Sequence, residues 1–298
     1  MNAINESPRC VLTGAHGFVG GGLQSRLQTQ GWRIEPWSQK PEPSEKGRAF
    51  HLGETIEPAS LEGVRAVIHC AYDFKPRSWS AIKAVNVSGS KNLFDAARKA
   101  GVQTLVLIST ISAFPGCRSL YGKAKLEIEE AARARGAFII RPGLVYDEQS
   151  GGVFGKLEQQ VKNSRFIPAL TGGRQAQFLV HLDDLARLIL DCLNGRISPQ
   201  TEPITIAHEQ SWELKNILLS MAAAVGKRVT LVPVPWQLVW LCLKTLETAG
   251  VPTNFRSDSL ISMVYQNPDP SFALLKSLGI HCRPFETGSL ARAPGKSR

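Results

Sequence analysis

Residues 13–20 (TGAHGFVG) restrict the fold more than any other stretch of the chain. A β-like run over residues 10–12 leads into them, and a helical pattern runs from Phe18 towards Gln30. Strand, glycine-rich turn and helix in that order form a cradle for a dinucleotide pyrophosphate. Gly14 permits the tight turn, Gly17 lets the backbone approach the phosphates, and Gly20 lets helix and strand pack closely. The helix N-terminus adds N–H groups without intrahelical partners and a positive dipole end. The G-x-x-G-x-x-G spacing is wider at its start than the usual G-x-G-x-x-G fingerprint.

The pattern downstream continues in the same sense. Residues 31–38 (GWRIEPWS) take the place of a second strand, weakened by Pro36. Residues 40–46 are loop by their prolines and charges, and 49–52 offer a short third strand. Residues 64–70 (VRAVIHC) form a buried strand, with an irregular loop over 72–79 at its carboxyl end, where ligands sit in doubly wound sheets. Residues 80–100 read as a helix closed by Gly101, 104–109 as a strand, 120–135 as a helix stopped by Gly136, and 137–140 as a further strand. The expected class is therefore α/β, a Rossmann-type doubly wound parallel sheet followed by a smaller α+β substrate-binding part. The expected boundaries are 1–148 for the core and 149–287 for the second part, with elements near 178–207 returning to the core. A frayed tail is expected over 288–298.

At 298 residues the chain can hold such a sheet and an appendage. Its 43% apolar and 20% charged residues describe an ordinary globular protein. A net charge of +10 raises nucleic acid, a membrane surface or an anionic ligand as partners. The basic residues are scattered and form no stripe interleaved with aromatics, so the expectation is a basic surface around an anionic cofactor, without nucleic acid. The six cysteines contain no C-x-x-C pair and no zinc spacing, which predicts no metal and a reducing compartment. A short polar N-terminus and the lack of a span-length apolar run make the cytoplasm the default.

In a dinucleotide fold the residue ending the second strand reads the ribose, and Asp or Glu there bonds the 2′-OH of NAD. Ser38 holds that place, followed by Gln39 and Lys40. A small hydroxyl beside a cation suits a 2′-phosphate and favours NADP over NAD, although a slipped alignment would bring Glu35 into play.

A second constellation follows the strand over 104–109. Thr110 stands at its end, and Tyr121 and Lys125 share one face of the next helix, four residues apart. A cation at that distance favours the tyrosinate and lowers its pKa from about 10. The phenol could then pass a proton at neutral pH while the Thr110 hydroxyl bonds the same substrate oxygen. The competing reading is an amphipathic helix with a packed tyrosine and a surface lysine.

With these residues in place, the chain resembles the extended short-chain dehydrogenase/reductase family, also called the NAD-dependent epimerase/dehydratase family, over residues 10–206. TGAHGFVG is similar to its TGAxGFxG loop, and His69, Cys70 and Ala71 to its fourth-strand segment. Residues 86–93 (NVSGSKNL) resemble its NVxGTxNL helix, residues 141–146 (RPGLVY) its RPxxVYG segment beside the nicotinamide, and residues 180–184 (VHLDD) its VHVDD segment. The resemblance implies Thr110, Tyr121 and Lys125 as the catalytic set, with the tyrosine as acid/base and the lysine orienting the cofactor ribose. It implies cofactor contacts from Gly14, His16, Gly17, Phe18, Val19, Gly20, Ser38, Lys40, Cys70, Ala71, Tyr121, Lys125, Pro142 and Val145. A small-molecule substrate and a homodimer through two helices per subunit complete the expectation. Ser109 and Ser112 are expected to be structural, and Asn86 a helix-packing hydrogen bonder.

The departures concern the substrate. Many members that act on nucleotide sugars carry an arginine just before the VDD segment; Gln177 stands there, with Arg174 as a substitute three residues earlier. His51 lies near the place of an adenine-contacting Asp, and Asp147 replaces the glycine closing RPxxVYG. Ile111 and Ser112 follow Thr110, where a dehydratase would want a carboxylate pair.

In the last third, residues 183–193 read as an amphipathic helix, 203–207 as a strand, and 212–225 as a helix with Ser211 as N-cap. Residues 231–243 (LVPVPWQLVWLCL) are notably apolar. They suggest a helix over the substrate pocket or, alternatively, a membrane-surface or partner-binding helix, against which the missing Lys/Arg-rich face counts. Residues 256–265 and 272–278 look like closing elements. Two readings result: an NAD(P)(H)-dependent reductase, dehydrogenase or epimerase acting at a carbinol or carbonyl carbon, or a non-catalytic dinucleotide-binding protein of the atypical kind within the family.

Overall fold

The structure, a computed structural model, describes residues 7–41, 47–149, 151–251, 253 and 255–286. The chain begins with β1 (Arg9–Thr13), α1 (Phe18–Thr29), β2 (Arg33–Ser38), β3 (Arg48–Ala49) and β4 (Ala66–His69). A helical stretch follows in three pieces: α2 (Trp79–Ile82), a π turn (Lys83–Val87) and α3 (Ser88–Lys99). Next come β5 (Thr104–Ile108), α4 (Leu120–Arg133), β6 (Phe138–Pro142), β7 (Leu144–Tyr146), α5 (Gly152–Asn163), β8 (Phe166–Leu170) and β9 (Ala176–Gln177). The remainder is β10 (Leu179–His181), α6 (Leu182–Leu193), β11 (Ile204–Ile206), β12 (Trp212–Glu213), α7 (Leu214–Ala224), β13 (Thr230–Val234), α8 (Trp236–Thr248), α9 (Ser257–Val264) and α10 (Ala273–Ser277).

Seven strands form one parallel sheet in the order β3-β2-β1-β4-β5-β6-β11. Alternation along β1 sends Cys10 and Leu12 to one face and Val11 to the other, and all three are fully buried. The first face is covered by α1, α6 and α10, the second by α3 and α4. This is the doubly wound α/β fold expected from the alternation of strands and helices. Strand order reverses between β1 and β4, so their carboxyl ends open a crevice there.

Pro36 is accommodated inside β2 because β3 pairs only with Trp37 and Ser38; at Pro36 that side of β2 carries no ladder. The third strand lies at Arg48–Ala49, ahead of the expected 49–52. Ser211 is not a helix cap: Trp212 and Glu213 pair antiparallel with β9, and α7 starts at Leu214 behind Glu213. Trp212 packs edge-on against Phe285 at 5.4 Å, and this tertiary contact overrides helix propensity. The apolar run over 231–243 splits at Pro235 into β13, which pairs with β8, and α8, which packs on α9. The tail over 288–298 and most of the loop over 40–46 lie outside the described residues.

Candidate active site

At the end of β1 the chain turns at Gly14, whose φ is +70°. A Cβ on Gly14 would lie 2.9 Å from the Ala71 nitrogen, and one on Gly20 would lie 2.2 Å from the Gly14 carbonyl oxygen. Side chains at either place would push apart β1, β4 and α1. His16, Gly17, Phe18 and Val19 complete the turn and the first turn of α1, with Gly17 at the N-cap. Cys70 and Ala71 follow β4, Ser38 ends β2 with Lys40 exposed just beyond, and Pro142 and Val145 flank the crossing between β6 and β7. All these residues gather at one edge of the sheet. The Ser38 hydroxyl is buried there without a hydrogen-bond partner, a polar atom suited to a ligand. Glu35, by contrast, is held by Arg9 at 2.8 Å, away from the strand end.

Beneath the loop runs a directed hydrogen-bond chain. Ser90 donates to the Asn86 carbonyl at 2.6 Å, so its hydroxyl oxygen is left to accept from His69 Nε2 at 2.8 Å. His69 Nδ1 then accepts from the Thr13 hydroxyl at 2.7 Å, and Thr13 Oγ1 receives the Ala71 N–H. Burial, and then the nearby Lys125 ammonium, push the His69 pKa down to about 3, so the imidazole is neutral. Asn86 clamps the loop after β4 rather than packing between helices: it accepts from the Asp73 N–H at 2.7 Å and donates to the Asp73 carbonyl at 2.9 Å.

Thr110 leaves the end of β5, and Tyr121 rises from the first turn of α4 with the Thr110 hydroxyl beside its phenol. Lys125, one turn on, is buried, donates from Nζ to the Ile108 carbonyl at 2.9 Å and lies 5.5 Å above the Tyr72 ring. Burial lowers its pKa to about 8, partly opposed by Cys70 and Glu129. The three residues read from the sequence thus stand together. The expected lowering of the Tyr121 pKa does not hold here: burial raises it to about 12, and only the Thr110 hydroxyl works the other way. Desolvation outweighs the neighbouring amine, whose proton is engaged by Ile108.

Ser109 donates to Glu129 at 2.5 Å, and Arg141 grips the same carboxylate at 2.8 and 2.5 Å, a buried bidentate pair that pins β6 to α4. Ser112 donates its N–H to Thr110 Oγ1 at 3.2 Å. Asp147 is not a neutral replacement for glycine. It is buried and bonded by Arg26 at 2.9 Å, while Glu148 meets His181 Nε2 at 3.1 Å. His181 Nδ1 already accepts the Asp183 N–H, so Nε2 is the donor to Glu148, and the ion pairs of this cluster run from Arg26 to Asp147 and Asp183. His51 is exposed and pairs with Glu54 at 3.0 Å. Gln177 takes part in the β9–β12 pairing.

Two features had no local signal in the sequence. Tyr72 and Phe74 form an aromatic wall against Tyr121, with ring centroids 4.9 and 5.6 Å away. Asp258, at the start of α9, accepts the backbone N–H groups of Leu120 and Tyr121. The first lies in the loop already marked as a ligand loop; the second is reached only through the tertiary fold.

Residues 10–206, from β1 to β11, match the family described as NAD dependent epimerase/dehydratase. The chain belongs to that family. Among curated proteins it is similar to ceramide reductase of Caulobacter vibrioides, at 29% identity over 61% of this chain and 60% of that protein. It is also similar to UDP-2-acetamido-2,6-beta-L-arabino-hexul-4-ose reductase of Pseudomonas aeruginosa, at 28% identity over 74% of this chain and 62% of that one. The chain thus spans about three fifths of the length of these relatives. Among solved structures, MoeE5 in complex with UDP-glucose and NAD superposes with a TM-score of 0.73 at 18% identity, covering 95% of this chain and 96% of that one. That likeness is one of fold.

Proposed function

We propose that the chain is an NAD(P)(H)-dependent oxidoreductase or epimerase acting at a carbinol or carbonyl carbon, with Tyr121 as its acid/base. The observation that carries this reading is the Lys125 amine, buried and held by the Ile108 carbonyl one turn below Tyr121, with the Thr110 hydroxyl beside the phenol. The close-packed Gly14–Gly20 turn and the buried, unpartnered Ser38 hydroxyl fit a dinucleotide along the crevice, and Lys40 beside Ser38 supports NADP. When bound, the nicotinamide supplies or accepts the hydride at the reacting carbon.

The chain's own residues handle the oxygen. Thr110 holds it by a hydrogen bond, and Tyr121 exchanges the proton with it. A phenol raised to about 12 is protonated at neutral pH and is able to donate to a substrate carbonyl oxygen. With a pKa of about 8, Lys125 is mostly cationic at neutral pH and is suited to hold the ribose hydroxyls. Gln177 in place of an arginine and the aromatic wall of Tyr72 and Phe74 support an apolar group next to the reacting carbon over a diphosphate.

Titration with NADPH and NADH, followed by nicotinamide fluorescence, tests the cofactor reading; the expected result is tighter binding of NADPH. Tyr121→Phe is expected to keep that binding and to lose turnover of ketone substrates by about 10²–10⁴-fold. Full activity in Tyr121→Phe would overturn the mechanism, and binding of neither cofactor would overturn the dinucleotide site.

A further inference from the structure

Helix α8 packs on α9 with one side only, and none of its residues is buried. Trp236 turns towards Tyr265 at 5.6 Å. On the opposite side Leu238 and Leu241 are 59% and 57% exposed, with Cys242 and Leu246 exposed beside them. Helical spacing puts these four on one face. The loop bearing Phe74 is tied to the end of α8 and to the start of α9. Arg256 donates to the Phe74 and Pro76 carbonyls at 2.5 and 3.2 Å, and Arg77 donates to the Glu247 carbonyl at the end of α8 at 2.7 Å. Phe74, thus held beside α8, is 54% exposed while its ring lies against Tyr121.

Charge identifies the occupant. Two acids of this region are engaged within the fold: Glu247 bonds Ser257, and Asp258 caps α4. Two cations beside the helix are exposed: Arg77 stands at the end of α8, and Lys244 lies on its flank. We propose that the outer face of α8, together with Phe74, docks onto an anionic lipid bilayer. The Leu side chains would enter the headgroup boundary while Arg77 and Lys244 meet the lipid phosphates. A second copy of the chain fits less well, because a two-fold interface would set these cations against themselves. Docking would place the mouth of the Thr110–Tyr121 site at the membrane surface. The proposal stands independently of the acid/base assignment.

The test is flotation of the whole protein with vesicles of phosphatidylcholine, with and without phosphatidylglycerol, at low and high salt. Binding is expected only with phosphatidylglycerol and is expected to weaken with salt. Leu238→Ser with Leu241→Ser should abolish it, and Arg77→Glu with Lys244→Glu should weaken it by at least about fivefold per charge removed. Unchanged melting temperatures show that these variants are folded. Lys91→Glu with Lys99→Glu on α3 should keep most of the binding. The proposal is overturned if the wild type ignores phosphatidylglycerol vesicles, if binding survives the α8 variants, or if the α3 pair removes it equally. It also fails if the leucine variants instead dissolve a dimer of this chain.

Discussion

The Asp258 carboxylate accepts the backbone N–H of Tyr121 at 3.0 Å and that of Leu120 at 2.7 Å, so a residue of α9 closes the N-terminus of the helix that presents the phenol. A carboxylate there satisfies two N–H groups that α4 cannot pair internally and meets the positive end of its dipole. Asp258→Ala is expected to cost about 1 kcal/mol of stability and to lower kcat by about tenfold without changing cofactor affinity. Asp258→Asn, which keeps one acceptor, should fall between. An Ala variant with wild-type kcat would show that the contact braces the helix without aiming Tyr121.

The glycine turn predicts a contrast between neighbouring substitutions. Gly20→Ala would bring a methyl within 2.2 Å of the Gly14 carbonyl oxygen, whereas Gly31→Ala meets nothing within 4 Å and carries only the cost of its φ of +84°. The first should destabilise by about 2–3 kcal/mol and weaken dinucleotide binding; the second should cost about 1 kcal/mol and leave binding alone. Urea denaturation and a cofactor titration on both variants check this, and equal effects would contradict the packing argument.

His69 should stay neutral, with its proton on Nε2, through the whole range in which an exposed histidine titrates. Its folded pKa is about 3 against an ordinary 6.5, so between these values the unfolded chain binds the extra proton. Stability attributable to His69 is therefore present above about pH 6.5 and is lost as pH falls towards 3. Imidazole NMR shifts should show no titration above about pH 4; a midpoint near 6.5 would mean that the Thr13–His69–Ser90 chain is open.

Lys125 carries the same sign of consequence on the alkaline side. Its folded pKa of about 8 lies below the ordinary 10.5, so the unfolded chain holds more protons between those values. Stability should rise with pH across that window, and Lys125→Met should flatten the rise in urea midpoints. A slope unchanged in Lys125→Met would assign it to another group.

Much of the fold was legible because its signals are local. The TGAHGFVG turn, the apolar strands and the Tyr121–Lys125 spacing each report on a few consecutive residues, and the structure sets them at one sheet edge. What was not legible depends on distant parts of the chain. Asp258 reaches α4 across 137 residues. The cation at the end of α8 comes from the loop at Arg77, so the helix's own sequence lacks a basic face. The direction of the Tyr121 shift was missed for the same reason: spacing reveals the nearby amine, while the burial that outweighs it appears only in three dimensions.

The π turn over Lys83–Val87 holds slightly more chain per turn than the helices on either side. It is in effect an insertion absorbed by the interior. Its residue Asn86 is the one that grips Asp73 by both backbone groups. Deleting a single residue here would regularise the helix and remove the widened turn from which Asn86 reaches Asp73. A length change that a surface loop would absorb would here release the loop bearing Tyr72 and Phe74. The segment can therefore vary in side chains far more freely than in length.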